Sequence, residues 1–317
     1  MKSRKSIVSR RRFLTLGSFG AAGVWISSSD QLAARAVRGF VAETGRTVIK
    51  PKFVPTPETW NSKTITAAWL GHSTVLLNYY GVTILTDPVL CRRVGANTWL
   101  GTVGAKRLVA PALTARQLPV IDLVLLSHAH MDHLDPATLR ALPGHPQVVT
   151  ARSTIDLLDN CSVKGIKDLA WSERARISTE QGDVEVRAFE VKHWGARWKW
   201  DRYRGYNGYT LEREGKKIIF GGDTAWCSSF RRLREHGPFE MAIMPIGAYN
   251  PWVCSHCTPE QAVRMANDAG AIHILPVHFQ TFAFGREGPT EPMERLEAAT
   301  ESERIGWQDV GQTFRLS

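Results

Sequence analysis

The sequence predicts one α/β domain built from layered sheets, and three observations predict it. Short apolar runs of strand length recur from Thr64 onward, and helix-start signals fall between them. Several of the runs are joined by tight turns, which a simple parallel sheet does not permit. No composition break or 20–50-residue repeat divides residues 64–317, and 317 residues suffice for one large core.

The elements follow in order. Residues 37–63 carry Pro51, Pro55 and Pro57 and read as a lead-in segment. Ile65, Ala67 and Trp69 alternate with polar or small neighbours, and the runs 75–79 and 82–85 flank Tyr80-Gly81, so these three segments make a meander. The uninterrupted apolar run 121–126 reads as a strand buried on both faces. Pro136 opens a helix over 136–142. Further strands are expected over 184–191, 209–213, 217–220, 241–246 and 272–277. Before the last of these, Thr258, Pro259 and Gln261 supply a cap, a first-turn proline and a capping-box partner for a helix that Gly270 ends.

The formal charge of +10 first suggests a nucleic-acid partner. Residues 1–36, however, hold seven Lys/Arg against one acid, a net +6, which leaves +4 for the rest. That mild balance argues against nucleic acid. In the same segment Arg10-Arg11-Arg12-Phe13-Leu14 leads into the apolar stretch 13–26, followed by the small-residue site Ala34-Arg35-Ala36. The pattern resembles a twin-arginine export signal and implies a periplasmic or cell-envelope location. Five cysteines are too few for a disulfide scaffold, and Cys254-Ser-His-Cys257 lacks a second pair for a four-thiolate zinc site. It reads as a local disulfide or as two bystander thiols.

The chemistry is concentrated in His128-Ala-His130-Met-Asp132-His133, directly after the buried run 121–126. Imidazole and carboxylate are the ligands of hydrolytic metal sites. On an extended segment His128 and His130 point the same way, and the turn that follows lets Asp132 and His133 face a second ion. His193, Asp223 and His278 each follow a strand-like run, where α/β sheets collect their active sites. His72 reads either as a histidine that supports a ligand from behind or as a core histidine, and receives no assigned role.

These seven residues resemble the metallo-β-lactamase superfamily in its binuclear hydrolase pattern of H-x-H-x-D-H, His, Asp, His. The resemblance implies a four-layer αββα sandwich with the metals at one edge between the sheets. It implies one zinc on His128, His130 and His193, a second on Asp132, His133 and His278, and Asp223 bridging them. A histidine at 130, where the diiron redox branch carries glutamate, favours zinc and hydrolysis over iron or manganese.

Within the superfamily, residues 69–88 resemble two branches, the N-acylphosphatidylethanolamine-hydrolysing phospholipase D family and the ascorbate-6-phosphate lactonase family. The stretches 193–212, "FGGDTAW" and "PIGAYNPW…HCTPEQAVRM" are similar to the former. That resemblance implies a phospholipid or other phosphodiester substrate and peripheral membrane contact. Asp132 would accept a hydrogen bond from the nucleophile, and His256 would orient the phosphate or protonate the leaving alkoxide. Trp194, Arg197 and Tyr249 would bind substrate. The interleaved aromatic and basic residues of 192–209 suit phosphate oxygens and a lipid–water interface on physical grounds too. Two alternatives remain at this stage, a metal-dependent lactonase acting on a phosphorylated sugar lactone or acyl lactone and a non-catalytic zinc-binding envelope protein.

Overall fold

The computed structural model describes residues 45–99 and 101–316. The export signal expected over residues 1–36 lies outside them. Strands β1 (Ile65–Gly71), β2 (Thr74–Tyr79) and β3 (Val82–Thr86) form the expected meander. The β2–β3 turn places Tyr80 and Gly81 at φ 50° and 89°, the two-residue mirror-image turn whose twist matches that of the strands. After a small hairpin of β4 (Ala96–Thr98) and β5 (Gly101–Val103), the chain adds β6 (Leu123–Leu126), β7 (Gln147–Ala151) and β8 (Lys164–Leu169) as parallel neighbours of β3. Helix α1 (Pro136–Ala141) makes the crossover from β6 to β7.

The second sheet repeats that plan. Strands β9 (Arg174–Thr179), β10 (Gly182–Phe189), β11 (Gly208–Arg213) and β12 (Lys216–Phe220) are antiparallel. Next, β13 (Phe239–Pro245) and β14 (Ala271–Val277) join in parallel. Helices α2 (Ser229–Leu233), α3 (Pro259–Ala269) and α4 (Glu291–Ala299) cover this sheet, and α3 lies against β13 and β14. The last strand, β15 (Thr313–Leu316), returns to the first sheet beside β1. Both sheets thus begin as an antiparallel meander and end in parallel strands, with helices outside, as the expected sandwich requires.

One apolar cluster unites the inner faces, with Trp69, Tyr79, Phe220, Phe230 and Phe239 fully buried. All seven residues of β1 are buried, so the alternation read from its sequence does not mark a solvent face. Its alanines and glycine are small because neighbouring elements cover both sides. Two tyrosines tie the sheets together. Tyr79 Oη donates to the carbonyl of Lys216 (2.5 Å), and Tyr209 Oη to that of Leu126 (2.9 Å) at the end of β6. Residues 45–63 lie against the domain, with Ile49 paired to the backbone of Leu108 and Ala110 and Lys52 bonded to Asp309.

The helix expected at Thr258 is as written, with Thr258 and Gln261 forming the capping box and Gly270 the C-cap. The strands β4, β5, β7, β8, β9 and β15 and the helices α2 and α4 were not expected. β8 and β9 are half-exposed and rich in Lys and Arg, so their apolar period is weak.

Tyr209→Phe removes the hydroxyl that links β11 to β6 and leaves the side-chain amide of Asn207 short of a partner. We expect a loss of about 1–2 kcal/mol, read as a lower urea midpoint with an unchanged slope.

Candidate metal centre

The strands end where chemistry is placed. His72 follows β1, Asp87 follows β3, and His128 stands two residues past β6. His193, Asp223 and His278 follow β10, β12 and β14. Three of these, His72, Asp87 and His278, adopt φ of 53°, 32° and 66°, a left-handed conformation that L side chains rarely take. The conformation turns each side chain off its strand toward the space between the sheets. Gly222, at φ 57°, sits before Asp223, where an added Cβ would lie 2.8 Å from Ser127 Cβ and from the Asn207 carbonyl. Only glycine allows the β12 end to approach the β6 end that closely.

All seven residues read from the sequence converge. His128 Nε2 and His193 Nε2 lie 2.7 and 3.2 Å from His130 Nδ1. His133 Nε2 and His278 Nε2 stand 3.1 and 3.2 Å from Asp223 Oδ2, and 3.4 and 3.7 Å from Asp132 Oδ2. Asp223 Oδ2 is also 3.8 Å from His193 Nε2. Two groups of four ligand atoms result, His128–His130–His193–Asp223 and His72–Asp132–His133–His278, and two overlapping groups of three, Asp87–His128–His133 and Asp223–His256–His278. The first matches the expected set for one ion. In the second, His72 accompanies the expected Asp132, His133 and His278.

The far ring nitrogens explain the orientation. His133 Nδ1 donates to Asp87 Oδ2 (2.6 Å), and His193 Nδ1 donates to the Ser255 carbonyl (2.9 Å). His128 Nδ1 meets Ser127 Oγ (2.8 Å), which in turn donates to Asp87 Oδ2 (2.6 Å), while Ser127 N donates to Asp87 Oδ1 (2.7 Å). For His128 and His193 the bond fixes Nδ1 as N–H and leaves Nε2 as an acceptor aimed at the cluster, and for His133 the bond to Asp87 sets the ring's orientation. His133 Nε2, both ring nitrogens of His278, His130 Nε2 and Asp223 Oδ1 are buried without a hydrogen-bond partner. Buried imidazole nitrogens and a carboxylate oxygen left without hydrogen-bond partners beside two carboxylates are what a divalent cation would satisfy, displacing the ring protons as it binds.

Electrostatics agree. Burial holds His128 and His193 well below their ordinary pKa and brings His130 down to about 4, so all three are neutral, ligand-ready imidazoles. Burial also opposes ionisation of Asp132 and Asp223. The facing His133 and His278 outweigh it and hold both well below the usual carboxylate range. His72, lowered to about 3 by burial, bonds Asp132 Oδ2 through Nε2 at 2.9 Å and so positions that carboxylate.

The open side is also defined. The Asp132 and His256 side chains are 17% and 14% exposed, against 0–1% for His133, His193 and Asp223. Beside them, half-exposed Trp194 sets its ring edge-to-face on His130 at 4.3 Å. His256 Nδ1 is 3.8 Å from Asp223 Oδ2, and its ring touches those of His193 and His278.

Two expected substrate residues are engaged elsewhere. Arg197 Nη1 donates to the carbonyls of Ala129 (3.1 Å) and Leu134 (2.8 Å), bracing the loop that carries the ligands. Tyr249 Oη donates to Glu291 Oε1 at 2.7 Å, with Arg295 over its ring. Tyr249 is buried and pins its loop to α4. Both side chains are held by groups distant in sequence, which no local pattern reveals. Cys254 and Cys257 are free thiols, one exposed and one buried, so the disulfide reading falls and the bystander reading stands. His72, open between a supporting and a core role in the sequence, supports the ligand Asp132, and Asp87 is the contributor that sequence reasoning missed. The Thr86-Asp87-Pro88 stretch offered the one available signal, an acid directly after a strand.

Asp87→Asn keeps the shape but removes the charge that orients His133. Metal affinity is expected to fall about 10–100-fold in competition with a chromophoric chelator, with the circular dichroism spectrum unchanged.

Comparison with known proteins follows the same line. Residues 83–279 match the family described as the beta-lactamase superfamily domain. An uncharacterised protein of Mycobacterium tuberculosis is 33% identical over 253 residues, 76% of this chain and 65% of its own length. The chain therefore spans somewhat under two thirds of that relative. An N-acyl-phosphatidylethanolamine-hydrolysing phospholipase D of Caenorhabditis elegans is 29% identical over 246 residues, 73% of this chain and 68% of the relative. Among solved structures, the metallo-hydrolase Igni18 of Ignicoccus hospitalis superposes with a TM-score of 0.60 at 20% identity, covering 80% of this chain and 99% of that one, a likeness of fold. With the family match running from β3 past the last ligand-bearing strand, the chain belongs to the beta-lactamase superfamily and has its metallo-hydrolase fold.

Proposed function

We propose that this chain is a binuclear zinc hydrolase that cleaves a phosphodiester of N-acylphosphatidylethanolamine-like phospholipids in the manner of a phospholipase D. The observation that carries the reading is the convergence of seven His and Asp side chains, four of them buried, on one point with several ring nitrogens left without hydrogen-bond partners. The similarity to the nematode phospholipase D supports the substrate class. His128, His130 and His193 would hold one ion and Asp132, His133 and His278 the other, with Asp223 between them. Two divalent ions at such a centre supply Lewis acidity, which acidifies water and offsets negative charge on phosphoryl oxygens.

The rest of the work falls to the chain. Asp132, ionised and partly open, is fixed by His72 so that its outer lone pairs can accept a hydrogen bond from the attacking water. His256, which burial holds down to about 4, presents a neutral imidazole on the open side. There its N–H can donate one hydrogen bond to a phosphate oxygen and so orient the phosphate, whereas protonating the leaving alkoxide would first require His256 itself to take up a proton. Trp194, together with Phe284 beside His278 and Trp252 bonded to the Phe284 carbonyl, gives the opening apolar walls suited to acyl chains. These rings favour a lipid over a sugar lactone. The paired arginines ahead of residues 13–26 support export to the periplasm or cell envelope.

Asp223→Asn and His130→Ala are expected to abolish turnover of both a phospholipid diester and a soluble model diester. Wild-type rates in either purified variant would sink the assignment. His256→Ala should keep its metal, counted by atomic emission, while kcat falls on the order of 10²-fold or more. Loss of metal would move His256 into the ligand set. A lactone assayed in parallel should be a poor substrate, and the reverse preference would replace the phosphodiesterase with a lactonase.

A further inference from the structure

The loop that leaves the third histidine carries a second feature. Between His193 and Tyr206 the chain exposes Trp198, Trp200 and Tyr203, at 38%, 77% and 69%. Trp198 and Trp200 stack face to face, with centroids 5.5 Å apart and planes 7° from parallel. Across the opening, the facing loop exposes Trp252 and Val253. The two loops meet where His193 donates to the Ser255 carbonyl. Large aromatic surfaces next to one another are uncommon on a soluble chain without a partner.

The exposed rings are not a sign of a loose loop, because its underside is braced. Asp201, buried, accepts from Trp198 N (2.7 Å) and Arg204 Nε (2.7 Å). Arg204 also reaches Asp156 with two nitrogens (2.6 and 2.7 Å) and donates to the Ser153 carbonyl. Gly205 N and Asn207 N are bonded to Arg152 and Ser127. The one acid of the stretch therefore faces inward and is neutralised. Lys199 and Arg202 sit among the rings, exposed and without an ion-pair partner among the described residues. A rigid platform of Trp and Tyr with unpaired cations, at the mouth of a polar site, has the chemistry of an anionic lipid–water interface. Indole and phenol rings settle at the headgroup level there, and basic residues beside them are drawn to the anionic surface.

We propose that the loop 194–204 is a docking platform that seats this chain on an anionic phospholipid bilayer, with the metal-ligand opening facing the lipid. The proposal rests on the reading of a phospholipid substrate and adds the surface through which that substrate is reached. Trp194, whose ring edge lies on His130, joins the platform to the pocket.

The test uses the full chain with vesicles of phosphatidylcholine alone or mixed with phosphatidylglycerol. Trp200→Ser/Tyr203→Ser should lower co-sedimentation with the anionic vesicles at least tenfold. Lys199→Glu/Arg202→Glu should remove the preference for phosphatidylglycerol. Both pairs should hydrolyse a soluble diester at the parent rate, since none of the four residues touches the pocket. Vesicle binding unaffected by the aromatic pair, as when residues 13–26 alone hold the chain to lipid, overturns the proposal. So does equal binding to both vesicle types, or a dimer in the parent that the aromatic pair dissociates without changing vesicle binding. If no form hydrolyses any diester while the aromatic pair still releases the chain from vesicles, the substrate reading fails and the platform stands.

Discussion

An ionised carboxylate, Asp223, sits only 2% exposed between two sheets, and the rest of the site answers to that burial. An isolated charge there would carry a penalty of several kcal/mol and would take up a proton instead. The surrounding imidazoles prevent this. His133 stays well above its ordinary pKa, and His278 rises to about 9, because burial, which lowers both, is outweighed by the carboxylates. On the other side His128, His130 and His193 remain neutral. Two carboxylates balanced by two protonated imidazoles, with three neutral ones beside them, make a cluster in which dications would take the place of the protons on His133 and His278.

Holding that arrangement requires backbone that no strand supplies by itself. Left-handed residues at the strand ends, at roughly 1–3 kcal/mol each, persist because the neighbouring elements over-determine them. Asp87 shows how, since one carboxylate receives Ser127 N and Oγ and His133 Nδ1. It therefore sets the β6 end and the ligand ring orientations together. Arg197 and Tyr249 extend the same logic outward by fixing the ligand loop and the 247–257 loop from behind.

The result is a site closed on its protein side and open on one rim. Buried acceptors set what binds deepest, and the half-exposed rings of Trp194 and Trp252 set what can approach. Polarity thus changes from ionic to aromatic over the width of the opening, which matches a molecule with an anionic centre and apolar tails.

The seven-residue ligand set was legible in the sequence because each member is a metal-ligand type at the end of an apolar run, and that pattern is local. The α/β layering, the capped helix at Thr258 and the meander were legible for the same reason, since period, cap and turn are encoded within a few residues. The half-exposed strands β8 and β9 were not, because Lys and Arg on their faces blur the apolar period. Asp87 and His72 look in sequence like a turn acid and a supporting or core histidine, and Arg197 and Tyr249 look like substrate contacts. What each does depends on which distant backbone carbonyl or ring nitrogen it meets. The sequence by itself determined which residues could ligate and roughly where each strand stops. Only the tertiary structure decided which ring nitrogens are held by distant partners and that His72 and Asp87 support the ligands, because those follow from contacts between residues far apart in the chain that the folded core brings within hydrogen-bond distance.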